Sequence, residues 1–136
     1  MSSEAEAKAK PHKEEAEEEE ARAIDQVVAM RSAQQDLLRR LGDIEQNLSE
    51  HKLVLEALKK VEPTRRCHRL IGGVLIERTA GDLLPALQES YDVLLEAQKE
   101  TTDLLEKRGK EMEDFMKEHK LTFLSREEAE AAQMRQ

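Results

Sequence analysis

Between Val27 and Leu58 the chain repeats apolar residues in alternating steps of three and four. The ten positions are Val27, Met30, Gln34, Leu37, Leu41, Ile44, Leu48, His51, Leu55 and Leu58, and eight of them are apolar. A stripe of this length and period is buried by a second helix laid along it, not by a compact core. Most intervening positions are charged or amide residues, as a solvated face requires. Gly42 interrupts the run at a cost of about 1 kcal/mol relative to Ala, which the long seam must offset. Lys59 and Lys60 suit the negative end of the helix dipole, and Pro63 disfavours helix at Glu62. The first helix is therefore expected over about residues 21–62.

Composition agrees with long helices. Apolar and charged residues each make up 38% of the 136 residues, with no Trp, one Tyr and two Phe. That is too little bulk for an ordinary core of this length. Of the net charge of −8, residues 1–20 carry −5, from eight Glu and three Lys, which leaves −3 for the rest. Residues 1–20 contain no large apolar group after Met1, so they read as a disordered acidic tail. The near balance of the remainder argues against strong attraction to nucleic acid. No apolar run approaches the roughly 20 residues needed to cross a membrane, and no secretory leader is visible at the start. The one cysteine, Cys67, excludes an internal disulfide and suits a reducing compartment. A cytoplasmic location, with a nuclear one second, is the expectation.

After Pro63 the period changes. Two β-prone runs, Arg66 to Ile71 and Val74 to Thr79, flank Gly72-Gly73. Both turn positions of a two-residue hairpin need positive φ, which the glycine pair supplies. A hairpin over about residues 65–79 follows, pairing Ile71 with Val74, Leu70 with Leu75, Arg69 with Ile76 and His68 with Glu77. Ile71, Val74 and Ile76 then share one face, and Leu70 and Leu75 share the other. A lone hairpin is marginal in water, and one with two apolar faces and two free edges needs further strands. Nothing else in this chain can supply them. The hairpin residues Cys67, Arg69, Leu70, Ile71, Gly72, Gly73, Val74, Leu75 and Ile76 are thus the candidate oligomerisation element.

A second helix is expected over about residues 80–120. Thr79 with Asp82 resembles a capping box; alternatively Asp82 caps and Pro85 lies in the first turn. Its seam runs Leu84, Leu87, Tyr91, Leu94, Gln98, Thr101, Leu105, Arg108, Met112, Phe115 and His119. Folding back on the first helix sets Leu58 against Leu84, Leu48 against Leu94, Gln34 against Arg108 and Val27 against Phe115. Polar layers at Gln98, Thr101 and Gln34/Arg108 weaken the outer part relative to the base. Val27, Met30, Met112, Phe115, Met116, Leu121 and Phe123 lie beyond them. Methionine adapts to many shapes, so these are candidate client-binding residues at the helix tips. The competing reading is that they simply finish the coiled coil. Residues 125–136 lack a sustained stripe and read as frayed or disordered. The domain proper is expected over residues 21–124.

Enzyme chemistry finds no constellation. Cys67 and His68 are adjacent on a strand and point to opposite faces, which excludes a thiol–imidazole contact. His68 reads instead as a polar partner for Glu77. The histidines are scattered, so no metal site is expected, and no cofactor is expected either. Arg65, Arg66 and Arg69 fit salt bridges to partner subunits better than a nucleic-acid patch.

The segment E-P-T-R-R-C-H-R-L-I-G-G-V-L-I-E-R-T (62–79), followed by L-L-P-A-L (83–87), resembles the prefoldin β-type subunit family. The stretches H-K-L-V-L-E-A-L (51–58) and G-K-E-M-E-D-F (109–115) are also similar, so the resemblance covers about residues 24–123. It implies a mainly α fold: a long antiparallel two-helix coiled coil whose single β-hairpin, at the helix–helix connection, joins an oligomeric β-barrel. It further implies a non-enzymatic subunit of a heterohexamer of α-type and β-type subunits. Such an assembly captures unfolded proteins, actin and tubulin among them, without ATP, and passes them to the cytosolic chaperonin. The alternative is a coiled-coil scaffold or adaptor in a prefoldin-like or transcription-linked complex. Neither nucleic acid nor membrane is an expected partner.

Overall fold

The structure is a computed structural model that describes the backbone of residues 2–134 and the side chains of residues 12–134. In chain order the elements are α1 (Ser2–Lys59), β1 (Arg66–Ile71), β2 (Val74–Thr79), α2 (Ala80–Glu118) and α3 (Arg126–Met134). The fold is mainly helical, with one antiparallel hairpin between two long helices. Two compact units divide it: Asp36–Leu105, and Met1–Gln35 with Glu106–Gln136.

In the unit Asp36–Leu105, every α1 seam position from Leu37 to Leu58 is buried or half-buried, and the α1 residues between them are exposed. Leu58, Ala80 and Leu83 form a small core next to the hairpin, with Val61, Cys67, Leu84 and Leu87 packed against it. Thr101 lies buried in the α2 seam, but its hydroxyl donates to the Ala97 carbonyl at 2.7 Å. That bond, made within its own helix, removes the cost of an unpaired buried hydroxyl.

The connection from α1 to the hairpin is short and heavily bonded. Pro63 occupies the second position of a turn closed by Arg65 N–H donating to the Glu62 carbonyl at 3.0 Å. Proline's fixed φ suits that position. The start of α2 is then satisfied by this same connection. Ala80 N–H donates to the Arg65 carbonyl and Gly81 N–H to the Pro63 carbonyl, both at 2.9 Å. Asp82 N–H donates to Thr79 Oγ1 at 3.2 Å, so Thr79 rather than Asp82 is the cap. Three of the four orphan amides of a helix start thereby find partners. α2 continues through Pro85, which lacks the N–H that would reach the Gly81 carbonyl. Gly81 is required by proximity: a Cβ there would lie 3.2 Å from the Pro63 carbonyl oxygen.

The other unit departs further from what composition suggests. The acidic stretch read as a disordered tail is helical from Ser2, although Met1 and the side chains of residues 1–11 lie outside the described residues. Once the seam has nucleated α1, most residues added toward its start cost little, because Ala, Glu and Lys propagate helix well; Pro11, inside the helix, is the costly exception. The side chains of residues 12–20 are all exposed, so the stretch is solvated all the same. At the expected Gln34/Arg108 layer, Gln34 lies against Gly109, where a Cβ would meet its Nε2 at 3.4 Å. Arg108 instead turns outward and pairs with Glu111 at 2.9 Å. Solvent exposure spares the guanidinium a desolvation penalty, and glycine leaves room for the amide.

α2 ends in a left-handed residue, Lys120, at φ 55°. Leu121 N–H donates to the Met116 carbonyl at 2.8 Å and Lys120 N–H to the Lys117 carbonyl at 3.2 Å. This is the Schellman pattern, with lysine where glycine is usual. α3 occupies part of the stretch read as frayed. Ser125 Oγ accepts from Glu128 N–H, and Ser125 N–H donates to Glu128 Oε2, both at 3.2 Å. The reciprocal pair is a capping box that Ser125-Arg126-Glu127-Glu128 encodes directly. Arg126 and Glu130 add an ion pair at 3.3 Å. Residues 135 and 136 lie outside the described residues.

Candidate functional site

The hairpin is the candidate site because it is both geometrically fixed and uncovered. Gly72 and Gly73 adopt φ of 55° and 81°, and the ladder runs from Ile71↔Val74 through Leu70↔Leu75, Arg69↔Ile76 and His68↔Glu77 to Arg66↔Thr79. A Cβ at either glycine would meet nothing within 4 Å. Backbone conformation, not crowding, therefore selects glycine at the turn.

The two faces differ in what covers them. Cys67, Arg69 and Ile76 are half-buried, and Cys67 packs on the Leu58–Ala80–Leu83 core. Near the turn this protection ends: Ile71 is 49% exposed and Val74 61%. On the opposite face Leu70 is 69% exposed and Leu75 64%. Covering most of these four side chains would contribute on the order of 5 kcal/mol. The sheet has two strands only, so the outer edge of each is unpaired among the described residues.

The polar frame is not the one expected. Glu77 forms its ion pair with Arg66, at 3.3 Å, rather than with His68 opposite it in the ladder. Arg66 and His68 share that face with Glu77, and the longer guanidinium reaches the carboxylate diagonally. Arg69 borders a groove of about 650 Å³ together with His51, Glu89 and Val93. That groove was invisible in the sequence; surplus apolar residues off the seam, such as Val93, were the available signal.

The tip residues separate into two groups. Val27 is 5% exposed, which places it in the seam and away from solvent. Met30, Met112, Phe115, Met116 and Leu121 are half-buried. Phe115 stacks on His119 with ring centroids 4.3 Å apart. Only Phe123 is open, and the Arg31 guanidinium lies 4.6 Å from its ring centre. The exposed apolar side chains of this unit also include Ile24, Val28 and Leu124. Ile24 and Val28 are one turn apart and off the seam, a spacing readable in the sequence and overlooked by following the heptad alone.

Among the described residues no group of three or more His, Cys, Asp and Glu side chains could hold a metal ion. No helix there is long and apolar enough to cross a membrane.

A family model described as "Prefoldin subunit" matches residues 21–126. Prefoldin subunit 2 of Homo sapiens is 35% identical over 114 residues, spanning 81% of this chain and 74% of the relative. A probable prefoldin subunit 2 of Drosophila melanogaster is 39% identical over 98 residues, 72% of this chain and 68% of that one. Among solved structures, the prefoldin beta subunit from Thermococcus strain KS-1 superposes with a TM-score of 0.66 at 12% identity. The match covers 74% of this chain and 89% of that one.

Proposed function

The chain belongs to the prefoldin subunit family, and from that premise we propose that it is a β-type subunit of a prefoldin hexamer that holds unfolded proteins without ATP. The observation that carries this reading is the uncovered hairpin. Leu70, Leu75, Ile71 and Val74 are held on a regular two-stranded ladder with both edges free among the described residues. Apolar groups in fixed geometry beside unpaired backbone donors and acceptors suit strand addition by neighbouring subunits. Assembly is the hairpin's role; holding is the role of the far ends of the helices. There Ile24, Val28, Phe123 and Leu124 offer apolar surface without a fixed ladder, which suits clients of variable shape. Actin and tubulin are the clients, and the cytosolic chaperonin is the acceptor. The work is done in the cytoplasm, and no step of it is enzymatic.

Co-expression with the remaining prefoldin subunits of the same organism tests this reading. A hexamer containing this chain is expected on sizing chromatography, and that hexamer should suppress aggregation of chemically unfolded actin without nucleotide. A chain that stays a well-dispersed monomer in the mixture contradicts the assignment. Assembly without suppression leaves it a scaffold subunit.

A further inference from the structure

Charge is distributed against the average of the chain. Residues 59–79 hold six cations, Lys59, Lys60, Arg65, Arg66, Arg69 and Arg78, against two anions, Glu62 and Glu77, a net of +4. The whole chain carries −8, so everything outside this segment sums to −12. The one hairpin carboxylate, Glu77, is already engaged by Arg66. Among the described residues, no carboxylate lies within ion-pair distance of Arg65, Arg69 or Arg78. Arg69 and Arg78 occupy neighbouring rungs of the same hairpin face, in the pairs Arg69↔Ile76 and Cys67↔Arg78.

Apolar contact does not discriminate between partners: Leu70 and Leu75 favour any strand that covers them. Discrimination must come from elements that repel the wrong partner, and here those are the unpaired guanidinium groups. A second copy pairing through either edge would set two segments of net +4 side by side, and a β1–β1 edge would bring Arg66 and Arg69 of both chains together. Like charges facing each other across strands destabilise pairing, and the effect grows as the interface loses water.

We infer that the hairpin is electrostatically barred from pairing with a second copy of this chain and selects neighbouring strands flanked by carboxylates. The inference rests on the assembly reading above and specifies the kind of subunit that stands beside this one. Unpaired Arg65, Arg69 and Arg78 find their counter-charges on those neighbours, so the hairpin's apolar groups supply affinity and its cations supply choice.

Opposite responses to salt test it, since screening relaxes repulsion and attraction alike. The purified chain alone and the co-expressed assembly are followed by sedimentation between about 50 mM and about 500 mM NaCl, a range that shortens the screening length roughly threefold. Self-association of the lone chain is expected to rise with salt. The dissociation constant of the mixed assembly should also rise, by about tenfold. A salting-out effect on apolar surfaces would strengthen both associations together and would overturn the inference. So would self-association that weakens with salt, because the acidic remainder of a second copy would then be docking on the hairpin. The double variant Arg65→Gln with Arg78→Gln alters only exposed side chains. It should flatten the salt dependence of the mixed assembly and increase self-association at low salt; an unchanged salt slope contradicts the inference. A chain that joins the other subunits at no salt concentration removes the assembly reading and this inference together. A chain that joins them with no salt dependence removes the inference alone.

Discussion

The hairpin and the segment from His119 to Ser125 both leave large apolar side chains in water, but they hold them differently. Leu70 and Leu75 are fixed by a six-rung ladder and a turn whose two glycines accept positive φ. Phe123 and Leu124 lie on irregular chain between a Schellman end and a capping box, with one guanidinium over the Phe123 ring. A fixed apolar surface suits one partner shape, because complementarity is prepaid by the fold. A loosely held one suits many shapes at lower affinity for each. Exposed apolar area alone does not identify a role; the regularity of the backbone beneath it does.

The largest effect should come from breaking the fixed surface. Leu70→Asp with Leu75→Asp removes the larger part of those apolar contacts, about 3 kcal/mol, or about two orders of magnitude in Kd for assembly. Sizing chromatography should show the hexamer lost. Circular dichroism of the lone chain should show helix content unchanged, since neither side chain packs on its own helices. A second contrast compares the seams beneath the two surfaces. Leu55 and Val27 are equally buried, at 5%. Leu55→Ala should destabilise by about 3 kcal/mol, and Val27→Ala by about 1 kcal/mol, because fewer atoms are lost at a site better able to relax. Urea unfolding of the lone chain measures both, and equal losses would mean that the seam at Val27 is the tighter per atom removed.

Glycine and lysine positions carry the smaller effects. A Cβ at Gly42 would meet nothing within 4 Å, so Gly42→Ala should stabilise α1 by about 1 kcal/mol, read as a raised Tm. Lys120→Gly relieves a left-handed lysine and should stabilise the end of α2 by roughly 0.5–1 kcal/mol. Its signature is slower amide exchange at positions 120 and 121, with little change in the hairpin.

Much of the hairpin unit was readable from the chain itself. The hairpin's pairing and the positive φ of both glycines follow from local turn chemistry, and all seven α1 seam positions from Leu37 to Leu58 are covered as the heptad requires. What escaped depends on distant residues or on signals easily passed over. Gly81 is needed because Pro63, 18 residues earlier, approaches it, and nothing in the local pattern announces that approach. Gly109 takes the inward place assigned to Arg108 because burial is decided by desolvation as well as by periodicity. Val27 belongs to the seam, whereas the open positions Ile24 and Val28 lie off it. The Ser125–Glu128 capping box was fully encoded, but its helix is short and buries no residue.

The joint at the start of α2 has a mechanical consequence. The Ala80, Gly81 and Asp82 amides are bonded to Arg65, Pro63 and Thr79, on both sides of the hairpin. Tension on the ribbon is therefore shared among three bonds acting in parallel, with no swivel at the joint. A neighbour that grips the ribbon would pull directly on the root of α2, and any yielding must come from elsewhere in that helix.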